Sequence, residues 1–238
     1  MPRVALPQFV GRVWAEVEGV ITLRNILQAL CAVVVAGVML TPIVAAGVVF
    51  GIDPETFTVD FASIAHLNPL AGALSNLGVL LWCASMSICL FSALVLKHKS
   101  TKDVRLFLAA SGLLSGYLLF DDLFQFHEFI APKYIGIRQT FVVTSIIIAT
   151  ASYLFACRKT ILKTNFLLLG CALGFLALSV LVDQFLEPHL WRLGEWSLFV
   201  EDGSKWIGIF CWFAYLATTA QHHLRKAFSG AATAPPAA

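Results

Sequence analysis

The chain has 238 residues, of which 59% are hydrophobic and 13% charged, with a formal net charge of +2. Soluble domains average roughly 45–50% apolar and about 25% charged residues, so a water-exposed globule is excluded and lipid is the matching solvent. In lipid every backbone N–H and C=O must be paired within its own segment, so apolar runs of about 20 residues read as helices. The expected fold is therefore all-α: a polytopic bundle of six transmembrane helices, as a multi-pass protein of the plasma membrane.

Residues 8–24 open the chain. Val10, Val13, Trp14, Val17, Val20 and Ile21 recur at helical spacing among Arg12, Glu16, Glu18 and Arg24. That pattern predicts an N-terminal amphipathic helix on the membrane surface, within a cytoplasmic segment 1–25. The first apolar run begins near Ile26 and is too long for a signal-peptide core. It predicts a span over 26–50, kinked at Pro42. Asp53-Pro54-Glu55 has the cap, proline and acid of a helix start, so a short interfacial helix is expected before Ile64. Asn68-Pro69 repeats the signal for a second span over 69–96. The basic loop from Lys97 to Lys102 follows, then a third span over 104–130 that Pro132 should stop. Spans four, five and six are expected over 137–157, 165–186 and 196–220. The transmembrane domain is thus 26–222, followed by a cytoplasmic, partly disordered tail over 223–238. Gly112/Gly116 and Gly170/Gly174 are G-x-x-x-G pairs of the kind that lets helices approach closely.

Charge sets the orientation. On this topology 12 of the 16 Lys and Arg fall on one side, and 11 of the 14 Asp and Glu on the other. Lys and Arg collect on the cytoplasmic side, so both termini are expected inside. The six cysteines all lie in apolar runs with no C-x-x-C and read as packing residues. Trp191, Trp196 and Trp206 read as an interfacial belt.

Ionisable residues within spans are costly and therefore mark function. At about 1.5 Å per residue, Asp121 and Asp122 on span three, Asp183 on span five, and Glu201 and Asp202 on span six reach one layer below the outer surface. On span three Asp121, Gln125 and Glu128 should share a face, with His127 pointing elsewhere. Lys205 lies three and four residues after Asp202 and Glu201, so it can neutralise either. His66, His127 and His189 fall on the same outer side. Such a group must bind a metal, hold protons or face water.

The leading expectation is a metal-dependent membrane enzyme acting on a lipid-soluble substrate. Asp121, Asp122, His127, Asp183, His66 and His189 would hold a divalent zinc, iron or manganese ion. Asp122, His127, Glu128, Asp183, Glu201, Asp202 and Lys205 would carry the chemistry. The alternatives are a cation or proton transporter using the same acids, and an accessory subunit packed on a membrane-protein partner. The sequence carries no nucleotide loop, nucleophile elbow or c-type haem motif, and no nucleic-acid surface.

Overall fold

The computed structural model describes residues 72–182 except 99, residues 196–229, and scattered positions between 23 and 70. The chain divides into two compact units, Met1–Ala71 and Gly72–Ala238, and each is taken by itself. The amphipathic segment 8–24, apart from Leu23, and the Asp53–Glu55 start lie outside the described residues, as do Asp183 and His189. In the first unit the described residues between 23 and 49 are helical. Asn68 Oδ1 accepts a hydrogen bond from the Leu70 N–H at 2.9 Å, a local turn rather than a helix cap.

The described residues of the second unit are helical apart from short connections, with α1 (Ala73–Val95), α2 (Lys102–Phe124), α3 (Gln139–Ile161), α4 (Phe166–Leu181) and α5 (Trp196–Ser229). A 3₁₀ turn over Leu96–His98 ends α1, and a π-helix over Phe126–Ile135 follows α2. Three of these helices are long and apolar enough to cross a membrane: α1 with its 3₁₀ turn, α2 and α3. Each is at least 23 residues long, about 35 Å against a hydrocarbon core of about 30 Å. Helix α4 is apolar but only 16 residues long. Helix α5 has 34 residues and runs past Ala220, the end of its apolar run, to Ser229.

An apolar core holds Trp82, Phe107, Leu108, Trp212 and Tyr215, but serines share it and large apolar side chains also cover the outside. Ser85, Ser92, Ser111 and Ser115 are buried, while Leu80, Phe91, Leu94, Leu106, Leu113, Phe141, Ile148 and Phe155 point outward. Lipid tails are as apolar as leucine, so apolar burial gives no reason for helices to meet; close backbone approach and interhelical hydrogen bonds do. Donors on the buried serines are satisfied locally, as where Ser85 and Ser111 hydroxyls donate to the Leu81 and Phe107 carbonyls at 2.8 Å. Together these features make this a membrane-type helical protein.

Helix α1 is central, packed between α2 and α5; α3 packs on α2, and α4 on α5. Glycines set two of these contacts. A Cβ on Gly112 would lie 2.7 Å from Leu90 Cγ, and one on Gly116 would lie 2.8 Å from the Met86 sulfur. The G-x-x-x-G of α2 thus allows α1 to approach, as its spacing predicts. Gly170 and Gly174 meet nothing within 4 Å among the described residues. The close approach of α4 to α5 depends on Gly208 instead, where a Cβ would lie 2.9 Å from the Leu176 backbone nitrogen. Aromatic rings fill the centre: Trp212 stands edge-on to Trp82 at 6.1 Å and lies 6.0 Å from Tyr153.

Helices α3 and α5 run on to Ile161 and Ser229, past the expected 157 and 220, and two other boundaries move for a backbone reason. Helix α1 starts at Ala73 rather than 69, because Gly72 takes a left-handed backbone (φ 70°) at the cap while Asn68 is engaged in its own turn. Helix α2 ends at Phe124 rather than 130, because Gln125 is also left-handed (φ 50°) and caps it with an N–H to the Asp121 carbonyl. Pro132 then sits inside the π-helix rather than stopping a span, and Gly136 (φ 77°) ends that element.

Candidate functional site

The left-handed Gln125 changes which residues meet the acids of α2. A continuous α-helix would put Asp121, Gln125 and Glu128 on one face, but the break at Gln125 turns the following residues back toward the helix end. Asp121 is buried, and His127 rather than Glu128 is its partner. The His127 backbone N–H donates to Asp121 Oδ1 at 3.1 Å, and His127 Nδ1 lies 2.6 Å from Oδ2. The expectation that His127 points elsewhere is therefore corrected. His127 Nε2 lies 3.4 Å from Glu128 Oε1, so neighbours that an α-helix would hold about 100° apart converge in the wider π turn.

Asp122, one position on, faces across the bundle. Its carboxylate meets Lys205 of α5 at 2.5 Å. The i, i+3 and i, i+4 spacing had pointed to Asp202 and Glu201 on the lysine's own helix; the direct partner is on α2. Gly78 of α1 faces this pairing. A Cβ there would lie 3.1 Å from Ile209 and 3.8 Å from Asp122 Oδ2. Ser75, Gly78, Asp122, Asp202, Lys205 and Trp206 line a cavity of about 20 Å³ beside the pair. That volume holds about one water molecule. The Trp206 indole N–H is buried with no partner among the described residues. Trp206 also stacks on Phe210 at 5.7 Å, so it is a half-buried wall of the cavity.

Asp122, Asp202 and Lys205 thus come together in one cavity, and Asp121, His127 and Glu128 form a second cluster on the helix end. Glu201 is half-buried one residue before Asp202. His66 lies in the first unit, in an exposed turn with φ 52°. Among the described residues no group of three or more His, Cys, Asp or Glu is placed to hold a metal ion. Ser75, expected at this depth on the second span, does line the cavity, whereas the charge pattern gives no sign of Gly78 or Trp206 as its neighbours. The depth of Ser75 was legible from its distance to Pro69, but nothing in sequence says that Gly78 faces an ion pair.

Residues 26–219 match the family described as a domain of unknown function, DUF8692. The chain belongs to DUF8692. No curated protein and no solved structure matches it. The region matched to DUF8692 includes both clusters and ends short of His222.

His127 lies beyond the end of α2, and its environment makes it pH-sensitive. Burial disfavours the imidazolium, but the Asp121 hydrogen bond and the charges of Asp121 and Glu128 outweigh it and raise the histidine above its ordinary value. A raised folded value means the stabilisation is fully present below the unfolded histidine value of about 6.5 and is lost as pH rises through the folded one. The melting temperature of the purified DUF8692 protein should therefore fall across that window, and His127→Gln should flatten the fall. An equal pH slope in wild type and variant would refute this assignment.

Proposed function

We propose that this DUF8692 protein is a six-span protein of the plasma membrane, with both termini inside, that moves protons or a cation exchanged against them. The Asp122–Lys205 pair is the site that takes up and releases charge. The observation carrying this reading is the pair itself, a carboxylate and an ammonium from different helices meeting at a water-sized cavity in the bundle. Ionisable residues at such a place are the usual mark of a proton or ion path. Protonation of Asp122 would free Lys205 and change the contact between α2 and α5.

Hydroxyls continue inward where no ionisable residue does. Trp212 Nε1 donates to Ser115 at 3.0 Å, Ser111 pairs with the Tyr153 hydroxyl at 2.9 Å, and Tyr215 pairs with Thr164 at 2.9 Å. The acid-poor inner half weighs against transport only if carboxylates must carry the path; these hydroxyls supply donors and acceptors at successive levels of α2 and α5.

The test is reconstitution into vesicles with a trapped pH dye and an imposed potassium diffusion potential. Wild type should acidify or alkalinise the lumen, and Asp122→Asn should abolish the flux while the protein stays folded. Flux unchanged in Asp122→Asn would sink the transport reading.

One observation favours a second reading, the metal-dependent enzyme. Asp121 on Nδ1 orients His127 with Nε2 turned toward Glu128, the way a carboxylate holds a metal-ligating histidine. Completion of the shell would need residues outside those described, such as Asp183 or His189. Zinc, iron or manganese at one equivalent in purified protein, lost in His127→Ala, would favour the enzyme; its absence would favour the transporter.

A further inference from the structure

At the opposite end of the bundle a cavity of about 260 Å³ lies between the α3–α4 loop and α5. Its polar lining is Lys163, Thr164, Asn165, Thr218, Thr219 and His222, with Leu168 the one apolar contributor. No carboxylate lines it. The surrounding sequence goes further: no Asp or Glu occurs between Glu128 and Asp183 or after Asp202. Every formal charge at this end of α3, α4 and α5 is therefore positive, from Arg158, Lys159, Lys163, Arg225 and Lys226. The size lies just below the roughly 300–1,000 Å³ of ordinary small-ligand sites, which suits a headgroup rather than an extended molecule.

Asn165 caps α4 without a side-chain hydrogen bond; the Phe166 N–H donates to the Thr164 carbonyl at 2.9 Å and the Leu168 N–H to that of Asn165 at 3.3 Å, so the helix end offers its partial positive charge more than free donors. Helix N-termini carry partial positive charge and present N–H groups to anions. Thr164 and Thr218 are held by bonds to their own helices: Thr164 donates to the Ile161 carbonyl at 2.6 Å, and Thr218 to that of Ala214 at 2.7 Å. Each hydroxyl oxygen keeps its position at the wall. His223, adjacent to the lining His222, has a buried Nε2 with no partner among the described residues. Burial, His222 and Lys226 hold His223 below its ordinary value, as expected where positive charge is crowded without acids.

We propose that this cavity binds a phosphate group, held by Lys163, His222, Asn165 and the α4 N-terminus. It does not rest on the transport reading: the two share only Thr164, which is not among the groups proposed to hold the phosphate. Two sources share that chemistry: the headgroup phosphate of an anionic lipid in the adjoining leaflet, and free inorganic phosphate.

The experiment measures binding to the full-length protein in nanodiscs of neutral phosphatidylcholine. One arm titrates short-chain phosphatidylglycerol, the other inorganic phosphate, each followed by the shift in melting temperature. Saturable stabilisation by the lipid alone identifies a headgroup site; stabilisation by both, or by inorganic phosphate alone, identifies a phosphate site open to solvent. Each of these outcomes supports the proposal. Lys163→Gln should weaken binding about fivefold, the effect of one basic residue near an anionic headgroup. Arg225→Gln, which changes the same net charge outside the cavity, should weaken it much less. Equal weakening by both would mean diffuse surface attraction and would overturn the proposal. Asn165→Asp separates binding from folding. It places a better cap and a favourable charge at the α4 N-terminus, so stability should hold or rise. The same carboxylate should repel phosphate and lower affinity about tenfold or more. Retained affinity in Asn165→Asp, or no saturable shift with either ligand in wild type, would also overturn it, leaving the cavity a solvent vestibule.

Discussion

Lys205→Met should be the most damaging single change in the second unit, costing about 3–5 kcal/mol, the usual effect of removing one partner from a buried ion pair. Lys205 meets Asp122 at 2.5 Å, and the Asp122 side chain is only 8% exposed. Methionine matches the length of the stem but leaves the carboxylate unpaired beside an apolar wall of Ile209 and Trp206. Asp122→Asn should cost less. The amide keeps the shape and an acceptor, and Lys205, with a side chain 32% exposed, can still reach water. The double variant Lys205→Met/Asp122→Asn should recover most of the loss, because no uncompensated charge then remains. Denaturation in mixed micelles would give the three values, and the double-mutant cycle isolates the pair. Strict additivity, with no recovery in the double variant, would mean the two residues do not interact and would remove the basis of the proposed site.

Gly208→Ala should separate α4 from α5 and cost about 1–3 kcal/mol by overpacking. The added methyl would sit 2.9 Å from the Leu176 nitrogen and 3.1 Å from the Ala172 carbonyl oxygen, both backbone atoms that cannot rotate away. Gly174→Ala is the internal comparison. It lies on α4, with nothing within 4 Å among the described residues, so it should gain up to about 1 kcal/mol of helix propensity. Melting temperatures of the two variants should move in opposite directions. If Gly208→Ala is neutral or stabilising, the helices do not approach as closely as described. Gly112→Ala should behave like Gly208→Ala but more mildly, since most of what it meets is the Leu90 side chain.

Much of the architecture was legible without coordinates because lipid imposes a simple rule. Backbone groups must be paired within the segment, so runs such as Ala73–Val95 and Gln139–Ile161 can only be helices, and their apolar length marks them. The Gly112/Gly116 contact was legible for a related reason: small residues are how helices meet where apolar burial has no driving force. The nearness of Asp122 on α2 to Asp202 and Lys205 on α5 was legible from a count of residues multiplied by the helical rise.

Partners were not legible. Local spacing put Lys205 within reach of Glu201 and Asp202, but gave no sign that Asp122 engages it across the bundle, because which helices are neighbours depends on packing and not on distance along the chain. Facing failed at Gln125 for a backbone reason. One left-handed residue, in a side chain with no turn preference strong enough to announce it, resets the phase of everything after it and brings His127 to Asp121. The Gly170/Gly174 pair met no described neighbour while the isolated Gly208 did, since a motif states what a helix permits and only the neighbouring helix decides what is used. Composition and periodicity by themselves determined that this chain is helical and membrane-embedded in type. The tertiary structure decided which acid meets which cation, because side chains many residues apart are brought together by helix packing, about which one-dimensional spacing carries no information.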